Sequence, residues 1–241
     1  MLFRSEDELA FVAEAATVGA PKPPNMALLV ELNRGPLVGA PAAVEELPVA
    51  PPGTTVLDVR PAADFLAGHG QGALNVPVSG SSFATKAGFV LDSDDRVVVQ
   101  AASSHEAERA IRGLRAVGFL ELGGFVLGGG SERIEPVALD ELDALLEQGA
   151  ELIDVRERDE RDSGYIAGSR NIPYRLLALS GGEVPVDRPV VTICESGARA
   201  GIAASILAAR GVDARPVLDG GITAWAARGG PMVEFRRCGG S

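Results

Sequence analysis

A thiol and a guanidinium stand a few residues apart in the stretch Cys194-Glu195-Ser196-Gly197-Ala198-Arg199. The run before it, Val190 to Ile193, is apolar and β-branched, which suits a buried parallel strand. The run after it, Ala200 to Arg210, is rich in Ala, Ile and Leu and reads as a helix. A strand, a tight turn and a helix start aim backbone N–H groups and the positive end of a helix dipole at whatever the turn holds. Here that is a sulfur. Amides, a helix N-terminus and a neighbouring Arg each favour the thiolate, so Cys194 reads as a nucleophile, or as the carrier of a second, outer sulfur. The competing reading is a buried structural cysteine. It fits the residue type but not the electropositive turn around it.

The rest of the composition narrows the chemistry. In 241 residues, 46% are hydrophobic and the net charge is −11, so a core is easily built and neither nucleic acid nor an anionic membrane surface is expected as a partner. Two Cys, Cys194 and Cys238, and two His make neither a disulfide framework nor a zinc motif, so no metal and no cofactor are expected. A reducing, cytoplasmic setting follows. No apolar run is long enough to span a bilayer. The segment Met1 to Glu14, with four acidic residues and Arg4 as its single base, does not read as a secretory signal. Cys238 sits in a Gly-rich tail and reads as a tail thiol rather than a partner that resolves Cys194.

The elements that must position Cys194 come in two copies. Val56-Leu57-Asp58-Val59-Arg60 matches Leu152-Ile153-Asp154-Val155-Arg156 at an offset of 96, and Gly68, Gly72, Asn75 and Pro77 match Gly164, Gly168, Asn171 and Pro173 at the same offset. At an offset of 93, Val97-Val98 matches Val190-Val191, and at 97, Gly123-Gly124 matches Gly220-Gly221. A repeat of this length is the size of a small domain, not of a solenoid unit. Three segments result: 1–42, a tail and linker; 43–132, a first unit; 133–241, a second. Each unit alternates strands (Thr55–Val59, Arg96–Gln100; Glu151–Val155, Pro189–Ile193) with helices (Glu106–Val117; Ala200–Arg210). That implies an α/β fold with a small parallel sheet covered by helices on both faces, and a site beyond the strands' carboxyl ends. An amphipathic helix is expected over Pro136 to Gln148, and a short one over Met26 to Asn33. A helix start at Ser5 with Glu8 as its capping box is expected at the N-terminus. Pro/Ala-rich 40–52 reads as linker. The charged stretch Glu157, Arg158, Asp159, Glu160, Arg161 and Asp162 reads as a solvated helix face. Asp154 and Arg156 fall at a strand end near the cysteine turn, either adding positive field there or bracing its shape. Trp225 is expected to pack the last helix on the sheet.

The second unit resembles the rhodanese family of sulfurtransferases. The resemblance rests on Ile153-Asp154-Val155-Arg156, on Gly164-Tyr165-Ile166-Ala167-Gly168-Ser169-Arg170-Asn171-Ile172-Pro173, on the six-residue loop Cys194 to Arg199, and on Asp219-Gly220-Gly221-Ile222-Thr223-Ala224-Trp225, in family order over nearly all of 137–231. It implies tandem rhodanese-like domains. It implies that Cys194 takes a sulfane sulfur from a small donor such as thiosulfate or a persulfide and passes it to a thiophilic acceptor such as a thiol. Glu195, Ser196, Gly197, Ala198 and Arg199 would hold the substrate or persulfide, with Asp154 and Arg156 in support. The loop is Cys-x4-Arg, one residue shorter than the Cys-x5-Arg cradle of protein phosphatases, which leaves phosphatase activity the weaker implication. Two positions depart from the family. Glu195 puts a carboxylate beside the nucleophile, where it disfavours a dianionic donor. Ala200 stands where a hydroxyl residue is frequent.

The first unit resembles the same family without its nucleophile: aligned on Gly118 and Gly211, Ala101 replaces Cys194 and Glu106 replaces Arg199. It is expected to be inactive and to serve packing, orientation or partner binding. His105, in its loop, reads as a solvated residue rather than a base. Pro23-Pro24-Asn25-Met26 and Glu31-Leu32-Asn33-Arg34-Gly35-Pro36-Leu37 look like the tail of metallo-β-lactamase-fold domains in hydrolase–rhodanese fusions. That implies either a split or shortened member of such a fusion or a hydrolase of this fold as a separate partner chain, and, as the alternative function, a non-catalytic interaction module serving it.

Overall fold

The computed structural model describes residues 22–35, 42–178 and 184–234. The expected helix at Ser5 and the tail thiol Cys238 lie outside the described residues.

Both units build the parallel sheet that the alternating pattern predicts. In the first, β1 (Thr55–Asp58), β2 (Leu74–Asn75), β3 (Val97–Ala101) and β4 (Leu122–Leu127) lie in the order β2-β1-β3-β4. In the second, β5 (Glu151–Asp154), β7 (Arg170–Asn171), β8 (Val190–Ile193) and β9 (Ala214–Pro216) repeat it as β7-β5-β8-β9. All pairs within these sheets are parallel. A separate antiparallel pair joins β6 (Tyr165–Ile166) to β10 (Met232–Val233). The helices are α1 (Met26–Arg34), α2 (Ala62–Ala67), α3 (Phe83–Val90), α4 (Ser104–Ala116), α5 (Leu142–Glu147), α6 (Arg158–Arg161), α7 (Ala198–Ala208) and α8 (Ile222–Ala227), with a 3-10 turn at Tyr174–Leu176. Among the described residues no helix is long and apolar enough to cross a membrane.

The twice-written Asp-Val-Arg and Asn-x-Pro motifs share one structural job. Asn171 donates its side-chain amide to the Asp154 and Arg156 carbonyls at 2.8 and 2.9 Å. Asn75 does the same to Asp58 and Arg60 at 2.9 and 3.0 Å. Each Asn thus gives the Arg carbonyl past the end of a central strand its donor, and adds a second bond to the Asp carbonyl, which also accepts a backbone N–H from Ile172 or Val76.

Helix α7 is buried on every side. Ala200 to Leu207 are all buried, because one face lies on the second sheet and the other on the first unit. A helix apolar all round fits only between two layers. At its centre, Ser205 accepts the backbone N–H of Asn75, on the edge strand β2, at 2.9 Å and donates to Ile202 O at 2.7 Å. The β2 edge of the first sheet is therefore covered by the second unit's helix rather than left as a template for strand pairing. One apolar core runs through both units, joining Leu57, Val99 and Leu114 to Ile202, Ala203 and Leu207. Trp225, 1% exposed, packs in a second cluster with Leu142, Ile193 and Val217, as expected.

Four details differ from the sequence reading. Helix α5 begins at Leu142, not Pro136, because Val137 N–H is taken by Pro216 O at 3.0 Å and Leu139 N–H by the Asp219 carboxylate at 3.3 Å. Those tertiary bonds keep Val137 and Leu139 out of the helix, and a turn over Leu139 to Glu141 leads into it. Gly123-Gly124 lies inside β4, whereas Gly220-Gly221 follows β9; the glycines that follow β4 are Gly128 to Gly130. The match at an offset of 97 is therefore not a structural equivalence. Part of the 40–52 stretch is docked rather than free: Phe125 N–H donates to Glu45 O and Leu47 N–H to Phe125 O, along the open edge of β4. Helix α4 starts at Ser104, two residues before the expected start, with Ser103 Oγ accepting the Glu106 N–H at 3.3 Å. That is a serine N-cap.

Candidate active site

Cys194 directly follows β8, and the loop behind it is fixed from three directions. Thr192 Oγ1 donates to Ala200 O at 3.0 Å, which ties the strand to the start of α7. Ile222 N–H donates to Cys194 O at 2.9 Å, which ties it to α8. The third tie is the sulfur itself: Gly197 N–H points at Cys194 Sγ across 3.1 Å. Gly197 reaches this position with φ +94°, and a Cβ there would lie 2.5 Å from Leu218 O, so only glycine lets the chain turn the amide inward. Gly221 is under the same constraint, since its Cβ would fall 2.1 Å from Cys194 O. Cys194 is 1% exposed.

The charges around the loop are arranged in pairs. Arg199, on the first turn of α7, meets Glu160 of α6 through both guanidinium nitrogens, with Nη2 2.6 Å from Oε1. The Arg199 hydrogen bonds hold the Glu160 carboxyl below its usual value. Arg156, 3% exposed, donates to Asp154 at 2.8 Å, to Gly164 O at 2.7 Å and to Glu195 Oε2 at 3.2 Å. Its charge is matched on both sides, which makes it a brace for the turn. Glu195 is therefore held by Arg156 on one carboxylate oxygen and by the Thr223 hydroxyl on the other. Arg175 is matched likewise, with Nη2 2.9 Å from Glu157 Oε2.

The stretch 157–162 is not a purely solvated face. Arg158 and Asp159 are exposed, but Glu157, Glu160 and Arg161 are half-buried. Arg161 donates to Ser169 and lies over the Tyr165 ring at 3.8 Å. Glu157, Glu160 and Arg161 turn inward to Arg175, Arg199 and Ser169, while the adjacent Arg158 and Asp159 face solvent.

Beside the loop opens a cleft of about 370 Å³. Ser196, Ala198 and Arg199 form its loop side, and Tyr174 and Arg175 of the same unit continue it. Burial and the nearby Glu157 carboxylate push the Tyr174 phenol up to about 12, so it stays protonated at neutral pH. Glu157, the partner of Arg175, also lines it, and the remaining wall comes from the first unit: Ser81, Lys86 and Phe89, the last two on α3. Phe89 meets Tyr174 edge-on with ring centroids 6.2 Å apart. Of these groups the sequence reading singled out Ser196, Ala198 and Arg199; it missed Tyr174, Arg175, Lys86 and Phe89.

The corresponding turn of the first unit is built and closed. Ala101, ending β3, presents a methyl where Cys194 presents sulfur. The Glu106 carboxylate reaches back into the turn and accepts the Ala102 N–H at 3.1 Å. The cradle thus carries its own anion. His105 is exposed on the first turn of α4.

A parallel α/β sheet with a cysteine seated between a central strand and a helix N-terminus, its sulfur facing a backbone amide, defines an anion-cradling thiol loop, here written twice and kept once. The chain belongs to the rhodanese-like domain family, whose profile, described as "Rhodanese-like domain", matches residues 41–135 and 138–228. A sulfurtransferase of Allochromatium vinosum is 39% identical over 82 residues, 34% of this chain and 77% of that protein. The thiosulfate sulfurtransferase GlpE of Shewanella oneidensis is 33% identical over 78 residues, 32% of this chain and 77% of that protein. The Bacillus subtilis protein YqhL is 39% identical over 79 residues, 33% of this chain, and the match spans 63% of its length. Among solved structures, the human single-domain sulfurtransferase TSTD1 is 28% identical with a TM-score of 0.35, covering 39% of this chain and 96% of that one.

Proposed function

We propose that this protein is a sulfurtransferase that works through a persulfide on Cys194. The observation that carries the reading is the inward Gly197 amide, 3.1 Å from Cys194 Sγ, in a Cys-x4-Arg loop. In the first half-reaction the Cys194 thiolate attacks the outer sulfur of a donor. The donor's S–S bond breaks, its electron pair leaves with the inner sulfur, and a new S–S bond joins the outer sulfur to Cys194. In the second, an acceptor thiolate attacks that outer sulfur and Cys194 leaves as a thiolate. The transferred sulfane sulfur carries its own oxidising equivalent from donor to acceptor, so the cycle needs no external oxidant or reductant and no cofactor. An outer sulfur stands one bond beyond the buried Sγ, and the loop amides suit its negative charge. The first unit, with a methyl and a carboxylate in the decisive positions, has no part in the transfer itself.

The test is intact-mass measurement after incubation with thiosulfate and with glutathione persulfide, wild type beside Cys194→Ala. A one-sulfur adduct in wild type that the variant lacks, together with thiocyanate formation on adding cyanide, is the expected result. No adduct with either donor sinks the reading and favours a non-catalytic module.

A further inference from the structure

The cleft beside the cysteine loop has three cations, and two of them are already matched. Arg199 faces Glu160 and Arg175 faces Glu157. Lys86, on α3 of the first unit, has no carboxylate within ion-pair distance among the described residues. It is half-buried, and the aromatic side chains of Phe89 and Tyr174 line the same cleft. A cation held in a cleft without a counter-charge is ready to meet an anion brought by a ligand.

We propose that Lys86 is a specificity-determining residue through which the nucleophile-less first unit selects substrates, binding the carboxylate of a small organic persulfide whose outer sulfur is presented to Cys194. This rests on the sulfurtransferase reading and names its substrate class. Three features separate such a ligand from thiosulfate. The guanidinium nearest the sulfur is matched by Glu160, so the loop offers a compact dianion little net charge. The unmatched charge sits on the other unit's wall, so the ligand's anionic group lies away from its reacting sulfur. The aromatic pair Phe89 and Tyr174, lining the same cleft, offers apolar surface to a carbon skeleton. The cleft, at about 370 Å³, is also roomier than a four-oxygen-sized anion needs. Burial, and the like charge of Arg199, lower the Lys86 ammonium from its usual value, and an incoming carboxylate offsets both. The degenerate unit then has a defined job: it has lost the sulfur chemistry and kept a wall of the site.

The experiment compares two persulfide donors alike except for charge, those of 3-mercaptopropionate and 2-mercaptoethanol. Transfer to cyanide is followed in wild type, Lys86→Ala and Lys86→Arg, with the Cys194 adduct read by intact mass in each. Wild type is expected to favour the carboxylate donor by about fivefold in kcat/KM, through KM, the worth of one partly exposed charge pair. Lys86→Ala brings the ratio to near one, and Lys86→Arg restores most of it. If wild type is persulfidated and turns over both donors equally, or if Lys86→Ala keeps the preference, this proposal is overturned while the sulfurtransferase reading stands. If no adduct forms on Cys194 with either donor, both are overturned.

Discussion

Glu160 and Arg199 meet as a two-pronged ion pair, Oε1 to Nη2 at 2.6 Å, although they lie on different helices and 39 positions apart. The pair places a carboxylate behind the one arginine of the cysteine loop. It fixes the guanidinium in a plane, as bidentate contacts do, and it offsets the charge that the loop shows to an incoming anion.

Replacing Glu160 by Gln keeps an acceptor for Arg199 and removes the negative charge. The loop then attracts anions more strongly. Alkylation of Cys194 by iodoacetate, an anion, should rise relative to alkylation by iodoacetamide, which is neutral, by about threefold at low salt, and the gain should shrink as salt is added. Peptide mapping of the labelled protein gives both rates. An unchanged ratio would show that Glu160 does not set the charge at the loop.

The same pair has a pH signature. Arg199 depresses the Glu160 carboxyl below its ordinary 4.5, so its contribution to stability is complete above that value. It is lost as the pH falls through the depressed folded value, where the carboxyl protonates and the pair is gone. Thermal melts of wild type and Glu160→Gln should therefore differ by a few degrees at neutral pH. The two curves should converge in acid, because protonated Glu and Gln are nearly equivalent there. A gap that widens on acidification contradicts this account.

The strand ends, the cysteine loop and the duplication were legible in the sequence, because each is written locally. Asp154, Arg156 and Asn171 are spaced by what a strand end demands, and Cys194 to Arg199 by a single turn. What was not legible depends on distant parts of the chain. Lys86 and Phe89 reach the loop only because α3 packs against the turn at Tyr174, more than eighty residues away. Glu157 and Glu160 look like members of a solvated run until the guanidinium groups that face them are placed. The late start of the helix expected over Pro136 to Gln148 came from backbone N–H bonds to the Pro216 carbonyl and the Asp219 carboxylate, which no local pattern contains. The all-round apolar character of Ala200 to Leu207 did contain a message, that this helix lies between two layers. It becomes readable once a second unit is recognised as the other layer.

That helix carries the next prediction. Ser205 is fully buried, and its hydroxyl is the partner of the Asn75 amide across the two units. Ser205→Ala leaves that N–H buried and unsatisfied, which costs about 1–3 kcal/mol. A domain of this size loses about 2–4 °C in Tm per kcal/mol. The fall should appear in a single transition, since one core joins the units. Calorimetry distinguishes this from two separate melts, which would mean that the units unfold independently.

The closed turn of the first unit offers the sharpest check on whether this loop geometry sets the reactivity of a thiol. Ala101 stands where Cys194 does, but the Glu106 carboxylate already occupies the Ala102 amide. In a Cys194→Ala background, Ala101→Cys alone should give a sluggish thiol, because the carboxylate competes for the amide and repels a thiolate. Adding Glu106→Ala frees the amide and removes the repulsion, and iodoacetamide labelling at position 101 should then quicken by about tenfold. Both variants keep the Ser103 cap, whose acceptor is a serine oxygen and whose donor is a backbone amide, so α4 still has its start. Equal labelling rates in the two variants would mean that Glu106 is incidental, and that the missing sulfur alone silenced this unit. A large difference would mean that the loop was silenced twice, once by losing its nucleophile and once by filling its cradle.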